Sequence, residues 1–122
     1  MALQEIAEKL VAHCKAGTEA EALATLYATS AVSVEATAFD GGDRETAGIE
    51  GIRGKHAWWD ANFEVHGGSV DGPFLHGPDR FAVIFEIDAT HKASGQRSAM
   101  KEVGLYTVTG DKITREEFFY TG

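Results

Sequence analysis

The chain has 122 residues, of which 43% are hydrophobic, and a formal net charge of −8 at pH 7. This length predicts a single domain over residues 1–122, large enough to bury a hydrophobic core. The acidic balance argues against binding to nucleic acid or to an anionic membrane surface, because both require a cationic face.

The start of the chain, MALQEIAEKL, lacks the basic segment and the apolar segment of a secretory signal peptide. No apolar run approaches the roughly 20 residues that cross a bilayer. The single cysteine, Cys14, has no partner for a disulfide within the chain. We therefore expect a reducing compartment and a cytoplasmic location.

Helical periodicity dominates the first half of the chain. Apolar residues at helical spacing predict a first helix from about Ala2 to Lys15, which Gly17 ends. Thr18 followed by Glu21 predicts a capping box at the start of a second helix. A third helix is predicted from about Ile49 to Phe63. One stripe of this third helix consists of Ile52, His56, Trp59 and Phe63.

The segment from Ala31 to Phe39 is rich in residues typical of strands and predicts the first strand. The following DGGDRETAG predicts a loop. After the third helix, EVHGGSVDGPFLHG predicts a bent strand, because glycine in a strand marks bulges and bends. Three further strands follow at FAVIFEIDATH, RSAMKEVGLYTV and ITREEFFY, joined by short turns. Helices followed by an antiparallel meander indicate the α+β class.

Strand alternation decides where the carboxylates of the last two strands point. Glu102 shares a face with Tyr106, and Glu116 shares a face of the last strand with Phe118 and Tyr120. Carboxylates crowded in a partly apolar cleft lose hydration and repel one another, which raises their pKa towards the range of acid-base catalysis. The alternative is an edge of solvated charges, since most carboxylates are exposed.

Glu86 joins this group in only one register of the preceding hairpin. If His91 pairs with Arg97, Glu86 lies opposite Glu102, whereas a slip of one residue reverses its orientation.

No motif predicts a metal or a cofactor. The histidines at 56, 66, 76 and 91 lack the spacing of metal ligands, and there is no cysteine cluster. No glycine-rich phosphate loop follows a strand, and there is no Gly-x-Ser-x-Gly elbow. We therefore expect a function without metal or cofactor.

Three segments carry a resemblance to a known family: LYATSAVSVEA (26–36), GIEGI (48–52) and EVGLYTVTGDKITREEFFY (102–120). In order and spacing they resemble the SnoaL-like branch of the nuclear-transport-factor-two-like superfamily, over essentially the whole chain. The resemblance implies three N-terminal-half helices packed in a strongly curved antiparallel sheet, a cone-shaped α+β barrel with an apolar pocket. It also implies a homodimer through the outer sheet face. The superfamily includes isomerases, cyclases, dehydratases and non-catalytic binders, so the fold does not settle the function.

The catalytic residues of the ketosteroid isomerases, which belong to this superfamily, have only partial counterparts in this sequence. Their general base follows a Val-Glu pair on the first strand, but here Val34-Glu35 is followed by Ala36. Their oxyanion-binding tyrosine falls near Leu10, which cannot donate a hydrogen bond. Only their protonated aspartate has a counterpart, near Glu102. Steroid isomerisation by that mechanism is therefore not expected.

The resemblance implies a protein that binds or converts a small, largely apolar cyclic or polyketide-like molecule by acid-base chemistry. The candidate catalytic residues are Glu102, Glu116 and His56, and the candidate ligand-binding residues are Trp59, Phe63, Tyr106, Phe118 and Tyr120. Glu102 would be the acid or base, Glu116 would tune its pKa, and Tyr120 or a histidine would orient a carbonyl oxygen. One alternative is a non-catalytic binding or dimerisation module; another is a lyase that uses His56 and His66 as its base.

Overall fold

The computed structural model describes residues 2–37 and 43–120, which form three helices and six strands. The helices are α1 (Leu3–Ala16), α2 (Glu19–Leu26) and α3 (Ile49–Asn62). The strands are β1 (Tyr27–Val34), β2 (Glu45–Ala47), β3 (Phe63–His76), β4 (Arg80–His91), β5 (Arg97–Thr109) and β6 (Lys112–Phe119). The predicted α+β class and the three predicted helices are confirmed.

All six strands belong to one sheet, in the order β2-β1-β6-β5-β4-β3. The meander from β3 to β6 is antiparallel, as predicted, but β1 pairs with β6 in parallel. The sheet is therefore mixed rather than wholly antiparallel, and it stays open, with β2 and β3 at its edges. The parallel pair is possible because the intervening chain, which includes α3 and four strands, is long enough for a crossover.

The first strand and the loop after it differ from the prediction. β1 starts at Tyr27, directly after α2, and ends at Val34. Within the predicted loop, Glu45–Ala47 forms β2, which pairs antiparallel with β1. The end of the predicted strand at Phe39 and the start of the loop lie outside the described residues.

The junction between α1 and α2 contains Gly17 with a φ of 73°, the left-handed conformation that glycine adopts most readily. Thr18 occupies the predicted N-cap position of α2 but makes no side-chain capping bond, so the predicted capping box with Glu21 is not formed. The Thr18 hydroxyl instead lies 2.7 Å from Nδ1 of His13. The His13 ring is therefore the side-chain partner of the Thr18 hydroxyl, in place of the first backbone amides of α2.

The hydrophobic core lies between the helices and one face of the sheet, called here the inner face. α1 packs against β3 and β4, and α3 packs against β1 and β2. The largest fully buried side chains are Ile6, Leu23, Leu26, Ile52, Phe81, Val83 and Ile113. Cys14 packs against this core, and burial raises the pKa of its thiol to about 12, which fits its predicted role as a small hydrophobe.

The opposite face of the sheet, called here the outer face, carries a strip of apolar side chains. Strand pairing places together Phe74, Ala82, Ile84, Val103, Leu105 and Phe119. Phe74 and Phe119 are 48% and 51% exposed. None of the helices in the described ranges combines the length and apolar character needed to cross a bilayer.

Candidate functional site

The register between β4 and β5 decides which carboxylates share the inner face. Thr90, not His91, pairs with Arg97, so Phe85 lies opposite Glu102. The slip arises in the turn, because the backbone N–H of His91 donates to the carbonyl of Gln96 at 2.9 Å and closes the hairpin there.

This slip places Glu86 on the outer face. Glu86 pairs with Lys101, and its Oε1 lies 3.9 Å from the Lys101 Nζ, while Oε2 accepts a hydrogen bond from Ser69. Of the two registers that the sequence left open, the structure has the one in which Glu86 does not join the inner carboxylates, since a slip of one residue turns every side chain to the opposite face.

Three carboxylates do share the inner face, two on β5 and β6 and the third directly after the end of β1. Ser33 on β1 pairs with Glu116 on β6, and Glu116 pairs with Tyr106 on β5. Alternation along each strand then places Glu35, two residues after Ser33, and Glu102, four residues before Tyr106, on the same side.

Glu116 is the most buried of the three, at 3% exposure. Burial raises its pKa from 4.5 to about 7, against hydrogen bonds donated by Tyr27 and Ser33 and the nearby charge of Lys55. Its Oε1 has no hydrogen-bond partner among the described residues. A buried carboxylate with an unsatisfied oxygen favours the protonated form, because the charge is poorly solvated.

Glu102 is half-buried, and its pKa is also raised from 4.5 to about 7. Burial is the main cause, followed by the negative charges of Glu35 and then Glu116, whereas Lys55 acts in the opposite direction. A carboxyl group with this pKa is present in both protonation states at neutral pH and can accept or donate a proton.

One ammonium group faces these carboxylates. The Nζ of Lys55, on α3, lies 2.7 Å from Oε1 of Glu35 and donates to the Ser33 hydroxyl at 2.8 Å. Glu35 also accepts a hydrogen bond from the Tyr120 hydroxyl at 3.0 Å. The same ammonium lies 5.8 Å from the centre of the Phe118 ring. These contacts hold the Lys55 ammonium in a single position on the inner face, beside β1.

Sequence reasoning did not select Glu35, Lys55 or Ser33. A signal was present, because Lys55 follows Ile52 by three residues and precedes Trp59 by four, which places it beside the predicted stripe of α3. A lysine there can extend its charged end past apolar neighbours.

Aromatic rings surround the carboxylates where β4, β5 and β6 meet. Tyr106 stacks on Phe81 at 4.9 Å and meets Phe118 edge-on at 6.3 Å. Gly104 leaves room for these rings, since a Cβ there would lie 3.0 to 3.2 Å from Tyr106, Phe118 and Phe85. Two of the predicted ligand-binding residues, Tyr106 and Phe118, are thus beside the predicted catalytic carboxylates.

Trp59 and Phe63 form a second aromatic group. Their rings stack at 4.0 Å, and Phe63 lies 5.1 Å from the ring of His91. His91 ends β4, six residues from Phe85, which is about 20 Å along an extended strand. Phe63 is therefore next to the last residue of β4, whereas Phe85 lies opposite Glu102.

The two histidines proposed to assist catalysis have different surroundings. Burial lowers the pKa of the half-buried His56 on α3, so its imidazole is neutral at pH 7. His66 is exposed on the edge strand β3, with its Nε2 2.6 Å from the Thr90 hydroxyl. His66 is therefore separate from the inner carboxylates.

Two shallow depressions lie away from this cluster, over β3 to β5. One, of about 220 Å³, is lined by Ser69, Val70, Asp71, Ile84, Glu86 and Lys101, and the other is about 330 Å³. Within residues 2–37 and 43–120, no three His, Cys, Asp or Glu side chains are grouped so that they could hold a metal ion.

Comparison with known proteins agrees with the fold. The model of the SnoaL-like domain family matches residues 1–120. A Mesorhizobium loti protein, named as a candidate SnoaL-like polyketide cyclase with the words carbohydrate phosphatase attached, is 45% identical with a TM-score of 0.90. The match covers 98% of this chain and 100% of that one. No curated protein sequence matches the chain.

Two more distant structures are also similar. A Catenulispora acidiphila protein with a ketosteroid isomerase-like fold, in complex with trimethylamine, is 25% identical with a TM-score of 0.71, over 96% of this chain and 85% of that one. A Burkholderia thailandensis NTF2-like protein is 15% identical with a TM-score of 0.83, over 99% of this chain and 92% of that one. At that identity the similarity shows the fold alone.

Proposed function

This chain belongs to the SnoaL-like domain family, and from that premise we propose that it is an acid-base catalyst for a small, largely apolar cyclic or polyketide-like molecule. The observation that carries the proposal is Glu102, a half-buried carboxyl group on the inner face with a pKa of about 7. The 45% identity to a protein named as a candidate polyketide cyclase supports the substrate class.

The reaction class is proton transfer at a carbon next to a carbonyl group. The ionised Glu102 takes the proton, the C–H electron pair forms a carbon–carbon double bond, and the carbonyl π pair moves to oxygen. Glu102, now a carboxylic acid, returns the proton to the same carbon or to a conjugated one. A pKa near 7 suits both steps, because neither protonation state is scarce at neutral pH.

The neighbouring groups have supporting roles. Glu35 and Glu116 raise the pKa of Glu102 by like-charge repulsion, Glu35 more than Glu116. The Tyr120 hydroxyl donates to Glu35, so it orients that carboxylate rather than a carbonyl oxygen of the substrate. Phe85 and Phe118 would provide the apolar wall for a ring system.

We expect the protein to exchange the acidic protons of 2-tetralone, an apolar bicyclic ketone, for deuterium in D₂O, measured by loss of the proton NMR signal. Glu102→Gln should slow the exchange by roughly 100-fold or more, because a positioned general base contributes that much. The matched control, Glu86→Gln, removes an outer-face carboxyl and should leave the rate unchanged. Equal rates in wild type and Glu102→Gln would contradict the catalytic role.

A second candidate function is the binding of a small organic amine without catalysis. Three carboxylates and one ammonium lie among the rings of Phe118 and Tyr106, a combination that attracts organic cations. The C. acidiphila protein, which is in complex with trimethylamine, supports this alternative. Trimethylamine, cationic at neutral pH, should lower the pKa of Glu102 in a carbon-13 NMR titration of glutamate carboxyl groups, and an unchanged titration would exclude it.

We also propose that two copies pair through the outer face. The apolar strip there includes the half-exposed Phe74 and Phe119, together with Leu105 of β5. Light scattering should give twice the mass of one chain, and Leu105→Asp should halve it by placing a charge in the contact. Ala12→Asp, on the exposed side of α1, is the matched control, and a monomeric wild type would refute the pairing.

A further inference from the structure

A base that removes a proton beside a carbonyl group needs a donor for the oxygen, which gains negative charge as the C–H bond breaks. The inner face provides O–H or N–H donors near the carboxylates. They are Tyr27, Ser33, Lys55, His56, Tyr106 and Tyr120, of which Ser33 already donates its one hydroxyl hydrogen to Glu116.

The three tyrosines are poorly placed for this task. Tyr27 donates its hydroxyl hydrogen to Glu116, and Tyr120 donates to Glu35. Tyr106 is 2% exposed, and its ring is packed against Phe81. Since each hydroxyl has one hydrogen, the two bonded tyrosines have none left for a ligand oxygen.

Lys55 differs because an ammonium group has three N–H donors. Two of them are directed to Glu35 and Ser33, at 2.7 and 2.8 Å, and these bonds fix the position of the nitrogen. The ring of Phe118 lies 5.8 Å away, and the Lys55 charge acts on Glu102. The fixed ammonium therefore has one further N–H donor and acts electrostatically on the base, whereas His56 offers only a neutral N–H.

We propose that Lys55 binds the carbonyl oxygen of the substrate and stabilises the enolate that forms when Glu102 removes the adjacent proton. This inference rests on the proposed function. In this step the C–H pair becomes the carbon–carbon double bond, the carbonyl pair moves to oxygen beside the ammonium, and the proton resides on Glu102. The ligand is therefore an apolar ring that carries an enolisable ketone. A hydrocarbon of the same shape has no oxygen for the Lys55 ammonium to bind.

The test uses 2-naphthol, which has the shape of the enol of 2-tetralone, and naphthalene, which lacks the oxygen. Fluorescence titration should show that Lys55→Met binds 2-naphthol roughly 10-fold or more weakly, since it loses a hydrogen bond to a charged group. Naphthalene should bind equally to both proteins. Lys101→Met removes an outer-face lysine and should bind both ligands like the wild type.

Two further measurements keep the test independent of folding. The double variant Glu35→Gln/Lys55→Met removes both charges of the ion pair and should lose 2-naphthol affinity to a similar extent. In the wild type labelled with nitrogen-15 lysine, the Lys55 ammonium signal should shift when 2-naphthol is added and stay unchanged with naphthalene.

The outcomes separate this inference from the proposed function. Unchanged 2-naphthol affinity in both Lys55 variants, no measurable wild-type affinity, or an unshifted Lys55 signal would overturn the oxygen-binding role, even if Glu102-dependent exchange of 2-tetralone is found. Lys55-dependent binding of 2-naphthol without any exchange would support the oxygen site and contradict the catalytic function.

Discussion

Replacing Glu116 by glutamine is expected to stabilise the protein relative to wild type by an amount that grows with pH. The difference in the free energy of unfolding should increase by about 3 kcal/mol between pH 4.5 and about pH 8, because the pKa of Glu116 is raised from 4.5 to about 7 in the folded state. Between these pKa values the folded wild type binds more protons than the unfolded chain. The stability that protonated Glu116 contributes to the wild type is therefore present at low pH and is lost as pH rises through about 7.

Urea unfolding of both proteins over this pH range would measure the effect. Glu35 and Lys55, which also face Glu116, are present in both proteins. Glu102 is present in both as well, although its pKa should be lower in Glu116→Gln because the repulsion from Glu116 is lost. Burial lowers the pKa of His56, so its contribution to the free energy of unfolding has the opposite pH dependence and is lost as pH falls. Glu86→Gln, on the outer face, should follow the wild-type curve. Parallel curves for wild type and Glu116→Gln would show that the carboxyl of Glu116 ionises as freely in the folded protein as in the unfolded chain.

Replacing Lys55 by methionine should destabilise the protein by about 3 kcal/mol or more at neutral pH, the usual cost of removing one partner of a mostly buried ion pair. The Lys55 and Glu35 side chains are only 23% and 15% exposed. The loss also leaves Glu102 and Glu116 without the positive charge that lowers their pKa, so both values should rise.

Thermal unfolding together with a carbon-13 titration of the glutamate carboxyl groups would test this expectation. Adding Glu35→Gln to Lys55→Met should recover part of the lost stability, because no unpaired carboxylate then remains at that position. Lys101→Met, which removes an exposed lysine, should change stability by no more than about 0.5 kcal/mol. A Lys55→Met protein as stable as Lys101→Met would mean that the Lys55–Glu35 pair contributes nothing.

Periodicity predicted much of what positions this site. The spacing of apolar residues located all three helices, and alternation along the last two strands placed Glu102 with Tyr106 and Glu116 with Phe118. These properties are local, because a residue and its neighbours two to four positions away decide which face of an element it occupies. The resemblance of the terminal hairpin to a known family led to the same carboxylates.

Predictions that depended on pairing between distant segments were less successful. The face of Glu86 stayed open because it depended on one residue of register, which a backbone hydrogen bond between His91 and Gln96 sets. Trp59 and Phe63 share the stripe of α3 with His56, and the structure stacks their two rings on each other with Phe63 beside His91. Their contact with a ligand stays a prediction.

The sequence by itself determined the class of fold, the order of the helices and longer strands, and which residues share a strand face with Glu102 and with Glu116, since each follows from short-range periodicity. Only the tertiary structure showed that β1 runs parallel to β6, so that Ser33 meets Glu116 and Glu35 follows on the same face. Only the packing of α3 on β1 brings Lys55 within 2.7 Å of Glu35, twenty positions away in the chain. Their ion pair, and the pKa values it influences, depend on distances between elements, which no local pattern encodes.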